Sequence, residues 1–195
     1  GMTREWVLGL KVVTGAGDIL EFNHGLIKNN TGYDFRHLFI GSEGTLGIIC
    51  EATIQLTKPP EESVVLMLGV DNFHAILNVL KMFNSQINLM AFEFFSQFAL
   101  DKVVEHQGHS APFDTRTPFY ALIEFETKSG QILDTAMELF EYCIEQGWVI
   151  EGIASQSESQ AKKLWELRED ISETLWHYQP YKNDISVRVS RMPDF

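Results

Sequence analysis

The stretch Gly41-Ser42-Glu43-Gly44-Thr45-Leu46-Gly47 organises the reading of this chain, with Lys28-Asn29-Asn30-Thr31-Gly32-Tyr33-Asp34 ahead of it and a strand-like run from Ile48 to Leu56 behind. Three glycines with small hydroxyl residues between them, followed by a β-rich run, describe a loop whose backbone comes close to something flat or anionic. Spacing leaves two readings open, a cofactor loop or a set of tight turns. The loop lacks the terminal Gly-Lys-Ser/Thr of a P-loop, and its glycines do not fit the dinucleotide fingerprint G-x-G-x-x-G. It is therefore neither a kinase-like nor a Rossmann signal.

Upstream of the loop, Trp6 to Thr14 alternates as a strand, Gly15-Ala16-Gly17-Asp18 reads as a turn and Ile19 to Phe22 returns. Together they predict a β-hairpin, with Ile48 to Leu56 as a third strand. At Lys58-Pro59-Pro60-Glu61-Glu62 the prolines bar both helix and ladder pairing, which places a domain boundary there: residues 1–59, then 60–195. Beyond it, short strands alternate with amphipathic helices. Strands are predicted over Val64 to Val70, Met90 to Phe95, Phe119 to Glu126, Trp148 to Ser155 and Tyr181 to Ser190. Helices are predicted over Phe73 to Asn84, Gln97 to His106, Gln131 to Gln146 and Ser157 to Tyr178. Two successive βαβ-like units imply an α+β fold, a ferredoxin-like antiparallel sheet with helices on one face. The polar, Pro-bounded loop from Gln107 to Pro118 is long for a compact domain and suits a lid or rim.

Composition excludes several functions. Of the 195 residues 45% are apolar and 22% charged, as in a folded globular protein. Acidic residues outnumber basic ones 27 to 15, a net charge of −12, with no Lys/Arg run. Such a surface repels nucleic acid and anionic membranes. No run of about 18 apolar residues is present to span a membrane, and no signal-peptide pattern opens the sequence. Cys50 falls in an apolar strand and Cys143 on the apolar side of a helix, so both are expected to be buried, reduced thiols. A cytoplasmic protein is the expectation.

The longest predicted helix carries the clearest chemical clue. At 100° per residue, Ala161, Leu164, Ile171 and Leu175 share an apolar arc that also takes in Arg168, with Ser172 at its edge. Glu166, Glu169, Asp170 and Glu173 fall on the opposite, solvated face. A guanidinium aimed at an apolar interface needs an anionic partner. That partner is either an internal carboxylate such as Glu93 or Glu124, or a bound anion. In the last predicted strand Ile185, Val187 and Val189 point one way, and Lys182, Asp184, Ser186 and Arg188 the other, a row that also suits plain solvent exposure. Of the histidines, only His106 and His109 have spacing for a shared metal, and a polar loop with Gly108 makes them a poor pair. His24, His37, His74 and His177 read as structural or exposed. No nucleophile with a credible base is visible.

As a whole, K-N-N-T-G-Y-D-F-R-H-L-F-I-G-S-E-G-T-L-G-I-I-C-E-A-T-I-Q-L from Lys28 to Leu56 resembles the second half of the flavin-binding domain in FAD-linked oxidases related to vanillyl-alcohol oxidase. Within that group it is most similar to the D-2-hydroxyglutarate, D-lactate and glycolate dehydrogenases. Trp6 to Val13 and L-W-E-L-R-E-D-I-S-E at Leu164 to Glu173 extend the resemblance over nearly the whole chain. It implies that residues 1–59 are the C-terminal part of a flavin-binding β subdomain and 60–195 most of a substrate, or cap, domain. It further implies that Gly41, Ser42, Glu43, Gly44, Thr45, Gly47, Ile48 and Ile49 contact FAD. Arg168, Ser172 (where the family has Thr) and Lys182 would bind a substrate carboxylate. The implied reaction moves the α-hydrogen of a D-2-hydroxy acid, D-2-hydroxyglutarate foremost, to flavin. D-lactate and glycolate are the nearest alternatives, the electron acceptor is unassigned, and a homodimer is compatible. The family's glycine-rich FAD loop and its His-Gly-Asp-Gly-Asn metal motif do not occur in these residues. The catalytic base and any divalent metal, zinc included, are accordingly expected outside them. A noncatalytic oligomerisation or electron-partner module is the rival; a scaffold would have no need of Arg168 and Lys182.

Overall fold

The computed structural model describes all residues except 1, 24, 25, 27, 61, 128, 129 and 184, so His24, Glu61 and Asp184 lie outside the described residues. The chain divides into two compact units, Gly1–Pro59 and Pro60–Phe195.

The first unit opens with a single helical turn, α1 (Thr3–Trp6), followed by β1 (Val7–Thr14) and β2 (Ile19–Phe22). A second short turn, α2 (Arg36–Phe39), precedes β3 (Gly47–Ile54). The sheet runs β2-β1-β3, antiparallel throughout, with Val13 opposite Ile19 and Val12 opposite Ile49. The β1–β2 turn closes through the Gly17 N–H donating to the Thr14 carbonyl at 3.0 Å. Val7, Leu10 and Val12 of β1 are buried, packed with Phe22, Phe39 and Ile40. The edge strand β3 is solvent-facing over almost its entire length.

The second unit is a larger α+β layer structure. In chain order it contains β4 (Ser63–Val70), α3 (Phe73–Gln86), β5 (Leu89–Ser96), α4 (Gln97–Gln107), β6 (Phe119–Glu126), α5 (Gly130–Glu145), β7 (Val149–Ala154) and α6 (Glu158–Leu175). The sheet order is β5-β6-β4-β7 and every neighbouring pair is antiparallel. This is the strand order of a ferredoxin-like βαββαβ unit, with α4 and α6 added. Side-chain caps start three of the helices: Asn72, Ser96 and Ser157 accept the N–H groups of Ala75, Ala99 and Gln160.

The antiparallel sheet is as expected from the sequence; the one-sided helical layer is not. Helices α3 and α5 cover one face, where Ile76, Val79, Phe83, Leu139 and Cys143 pack on Leu66, Leu68, Ile123 and Phe125. Helices α4 and α6 cover the other, where Leu100, Val103, Leu164 and Leu167 pack on Val65, Met67, Tyr120 and Leu122. The cause is legible in β4 and β6, whose V-V-L-M-L-G-V and F-Y-A-L-I-E-F runs are apolar at consecutive rather than alternate positions. A strand of that kind needs cover on both sides.

Among the described residues, the predicted last strand, Tyr181 to Ser190, does not form. After α6 the chain makes a 3-10 turn at Trp176–Tyr178, and the next regular element is another at Val189–Asp194. Alternation alone cannot make a ladder, since the backbone bonds must come from a free strand edge. Both sides of β4 and β6 are already taken, and no further strand lies on β5 or β7 among the described residues.

Candidate functional site

In the first unit the glycine loop consists of consecutive tight turns. The Ser42 N–H donates to the Phe39 carbonyl at 3.1 Å and the Thr45 N–H to the Ser42 carbonyl at 3.0 Å, which also accepts from Thr45 Oγ1 at 2.6 Å. Gly41 (φ 88°), Glu43 (φ 52°) and Gly44 (φ 77°) occupy the left-handed region, at a steric cost for Glu43 that glycine escapes. Gly47 answers a different need: a Cβ there would lie 2.7 Å from the Val13 carbonyl oxygen and 2.8 Å from Val12 Cγ1. Among the described residues, the N–H groups of Glu43, Gly44 and Leu46 have no hydrogen-bond acceptor. A turn that leaves several amides unpaired can donate to phosphate or carbonyl oxygens of a ligand. Beside it on β3, Ile48 and Ile49 are exposed apolar side chains, at 71% and 42%. The residues thus fit a group that combines polar oxygens with an apolar part, which can meet Ile48 or Ile49 but not both, since neighbours in a strand face opposite sides.

A residue not singled out in the sequence, Arg36, secures this region. Its Nη1 donates to the carbonyls of Val7 and Leu8, both at 2.7 Å, while Nε and Nη2 reach Asp34 at 2.9 and 2.6 Å. The guanidinium beside it holds the Asp34 carboxyl below the usual carboxylate range. The D-x-R spacing in Tyr33-Asp34-Phe35-Arg36 is the only local signal of this clamp. Cys50, expected to be buried, is exposed on β3. Cys143 is buried, and desolvation pushes its thiol up to about 11.

In the second unit the buried stripe of α6 consists of Leu164, Leu167 and Thr174, flanked by partly buried Ala161 and Ile171. Arg168 therefore sits beside the stripe rather than within it. Its Nε donates to Glu93 Oε2 at 3.0 Å and its Nη2 lies 2.9 Å from the same oxygen as an ion pair, and the two side chains are 35% and 38% exposed. Glu93 is thus the carboxylate partner; Glu124 instead accepts from Ser63 Oγ at 2.8 Å. Ser172 is exposed one turn along the helix from Arg168. Lys182 places its ammonium 5.4 Å from the centre of the Trp176 ring, in cation–π range. Arg168 and Ser172 therefore share a helix flank, and no hydrogen bond or ion pair ties Lys182 to them among the described residues.

The Gln107 to Pro118 loop is pinned rather than loose. His109 Nε2 lies 2.6 Å from Asp170 Oδ2, Arg116 donates to Asp101 at 2.7 Å and the Thr117 N–H donates to Gln97 at 3.2 Å. Asp170, read as freely solvated, is one of these anchors. Arg116 draws the Asp101 carboxyl below its ordinary range. Nearby, His106 Nε2 is 2.6 Å from the Tyr178 hydroxyl and its ring stacks on His177 at 5.1 Å, joining α4 to the turn after α6. No group of three or more His, Cys, Asp or Glu side chains among the described residues could hold a metal ion.

The comparisons with known proteins identify the class to which the antiparallel unit belongs. Residues 59–195 match the family of FAD linked oxidases, C-terminal domain, and the chain belongs to that family. It is 55% identical over 195 residues to a D-2-hydroxyglutarate dehydrogenase of Stutzerimonas stutzeri (strain A1501), covering 100% of this chain and 42% of that protein. The mitochondrial D-2-hydroxyglutarate dehydrogenase of Rattus norvegicus is 35% identical over 198 residues, covering 100% of this chain and 37% of that protein. The chain thus spans about two fifths of the length of these relatives. Among solved structures, 4-ethylphenol oxidase from Gulosibacter chungangensis superposes with a TM-score of 0.61 at 14% identity, covering 90% of this chain and 41% of that one. That likeness is one of fold.

Proposed function

We propose that the protein containing this chain is an FAD-dependent dehydrogenase that oxidises D-2-hydroxyglutarate to the corresponding 2-oxo acid. The observation that carries the proposal is 55% identity, over every residue of the chain, to a D-2-hydroxyglutarate dehydrogenase. In this proposal residues 1–59 belong to the flavin-binding part and 60–195 to the substrate part. The unpaired amides of Glu43, Gly44 and Leu46, with Gly41, Ser42, Thr45, Gly47 and either Ile48 or Ile49 around them, hold FAD. When bound, FAD supplies the acceptor for the hydride leaving C2 of the substrate. Arg168, Ser172 and Lys182 bind the carboxylate distal to C2, which fixes the substrate's orientation and selects a dicarboxylate. The C2 hydroxyl gives its proton to a base outside these residues, so that two electrons and two protons leave the substrate in all.

The test is anaerobic addition of D-2-hydroxyglutarate, D-lactate or glycolate to the full-length FAD-loaded protein. The expected result is loss of the flavin's visible absorbance with D-2-hydroxyglutarate at far lower concentration than with the two monocarboxylates. Equal or preferential reduction by D-lactate would overturn the substrate assignment.

A further inference from the structure

We infer that Glu93 is a positioning residue for substrate recognition, holding one edge of the Arg168 guanidinium so that the other edge stays available to a carboxylate. The inference rests on the proposed role of Arg168 and deepens it. A guanidinium carries five N–H donors in a rigid fork. Glu93 engages Nε and Nη2, and it does so with a single oxygen. Neither N–H group of Nη1 has an acceptor among the described residues, and Nη2 meets Glu93 only as an ion-pair contact. Nη1 and Nη2 together form the end-on face that matches a carboxylate bidentately.

The anchor itself is rigid. Glu93 lies in β5, where it pairs opposite Leu122 of the central strand β6. Alternation along β5 turns Phe92 and Phe94 to the α3/α5 core and Phe95 to the α4/α6 core, so Glu93 shares the face on which α6 lies. Its partner is carried on an 18-residue helix capped at Ser157. A strand and a helix thus fix both ends of the contact.

Stability alone is a weak reason for the pair. At roughly one-third exposure on each side chain, the ion pair is screened by solvent and adds little to folding. Released from Glu93, Arg168 would spread over many rotamers, and binding a substrate would have to order it again. Glu93 also repels an incoming carboxylate, but solvent at this half-open site screens that repulsion. Pre-organisation is the larger effect.

The experiment uses the full-length FAD-loaded protein with Glu93→Ala, Glu93→Gln and Arg168→Met. Glu93→Ala is expected to raise KM for D-2-hydroxyglutarate about tenfold while kcat and melting temperature change little, the signature of lost ground-state binding. Glu93→Gln, whose amide oxygen still accepts from Arg168, should recover most of that loss. An unchanged or lowered KM in Glu93→Ala, beside a raised one in Arg168→Met, overturns the inference and leaves the proposed site standing. A large fall in melting temperature with kcat reduced alike also overturns it, because that is the mark of a purely structural ion pair. If Arg168→Met itself uses D-2-hydroxyglutarate as the parent does, the proposed site fails and the role of Glu93 fails with it.

Discussion

Arg168 and Arg36 show how differently two guanidiniums can be used. Arg36 is satisfied on both edges, by two backbone carbonyls and Asp34, and 17% of its side chain is exposed. Replacing it by Met would strand the carbonyls of Val7 and Leu8, at a cost of about 1–3 kcal/mol, readable as an earlier denaturant midpoint for the first unit. Its partner Asp34 has a folded pKa below the unfolded value. The stability it contributes is therefore present above about pH 4 and lost as pH falls through the folded value. Asp34→Asn should flatten that acid limb. Arg168, by contrast, keeps donors in reserve. In the full-length protein Arg168→Met should lower kcat/KM for D-2-hydroxyglutarate by roughly one to two orders of magnitude, the worth of a charge-assisted hydrogen bond. D-lactate, lacking a distal carboxylate, should be nearly unaffected, and steady-state kinetics on the two substrates would measure the difference.

At the scale of elements, α6 divides its work between neighbouring residues. Leu167 is 3% exposed and seals the sheet face formed by Val65, Met67 and Leu122, while Arg168 one step round the helix serves the surface. Leu167→Ala should cost about 2–5 kcal/mol through lost burial and the cavity left behind. Arg168→Met should cost under about 1 kcal/mol, as expected for a half-exposed ion pair. Thermal denaturation of both variants checks the contrast. Equal losses would mean that Arg168 is part of the core.

At the scale of the whole molecule, the two units differ in self-sufficiency. The second encloses a sheet between two helical layers, whereas the first leaves β3 with exposed Ile48, Ile49 and Ile54. Hydrogen exchange on the 195-residue chain should accordingly show stronger protection in β4 and β6 than in β3. Faster exchange in β4 than in β3 would contradict this. The same chain by itself should bind no flavin and show no dehydrogenase activity, because a cofactor held by three free amides and an exposed isoleucine of β3 lacks most of the burial that affinity requires. A yellow preparation with a protein-bound flavin spectrum would refute it.

Local patterns determined a good deal by themselves. The 3.6-residue and two-residue periodicities placed nearly every strand and helix between Val7 and Leu175, because those repeats follow from backbone geometry and need no knowledge of the partner. The turns of Gly41 to Gly47 are likewise local, set by residues that tolerate a positive φ. Tertiary structure decided what lies across the sequence. It assigned Arg168 to Glu93, 75 residues away, and left Cys50 on an open strand. It put α4 and α6 on the second sheet face, and denied a ladder to the described residues of the alternating stretch after Tyr181. Burial, ion pairing and strand pairing all depend on what another segment brings to the same place, and a periodicity shows only which side of an element awaits it.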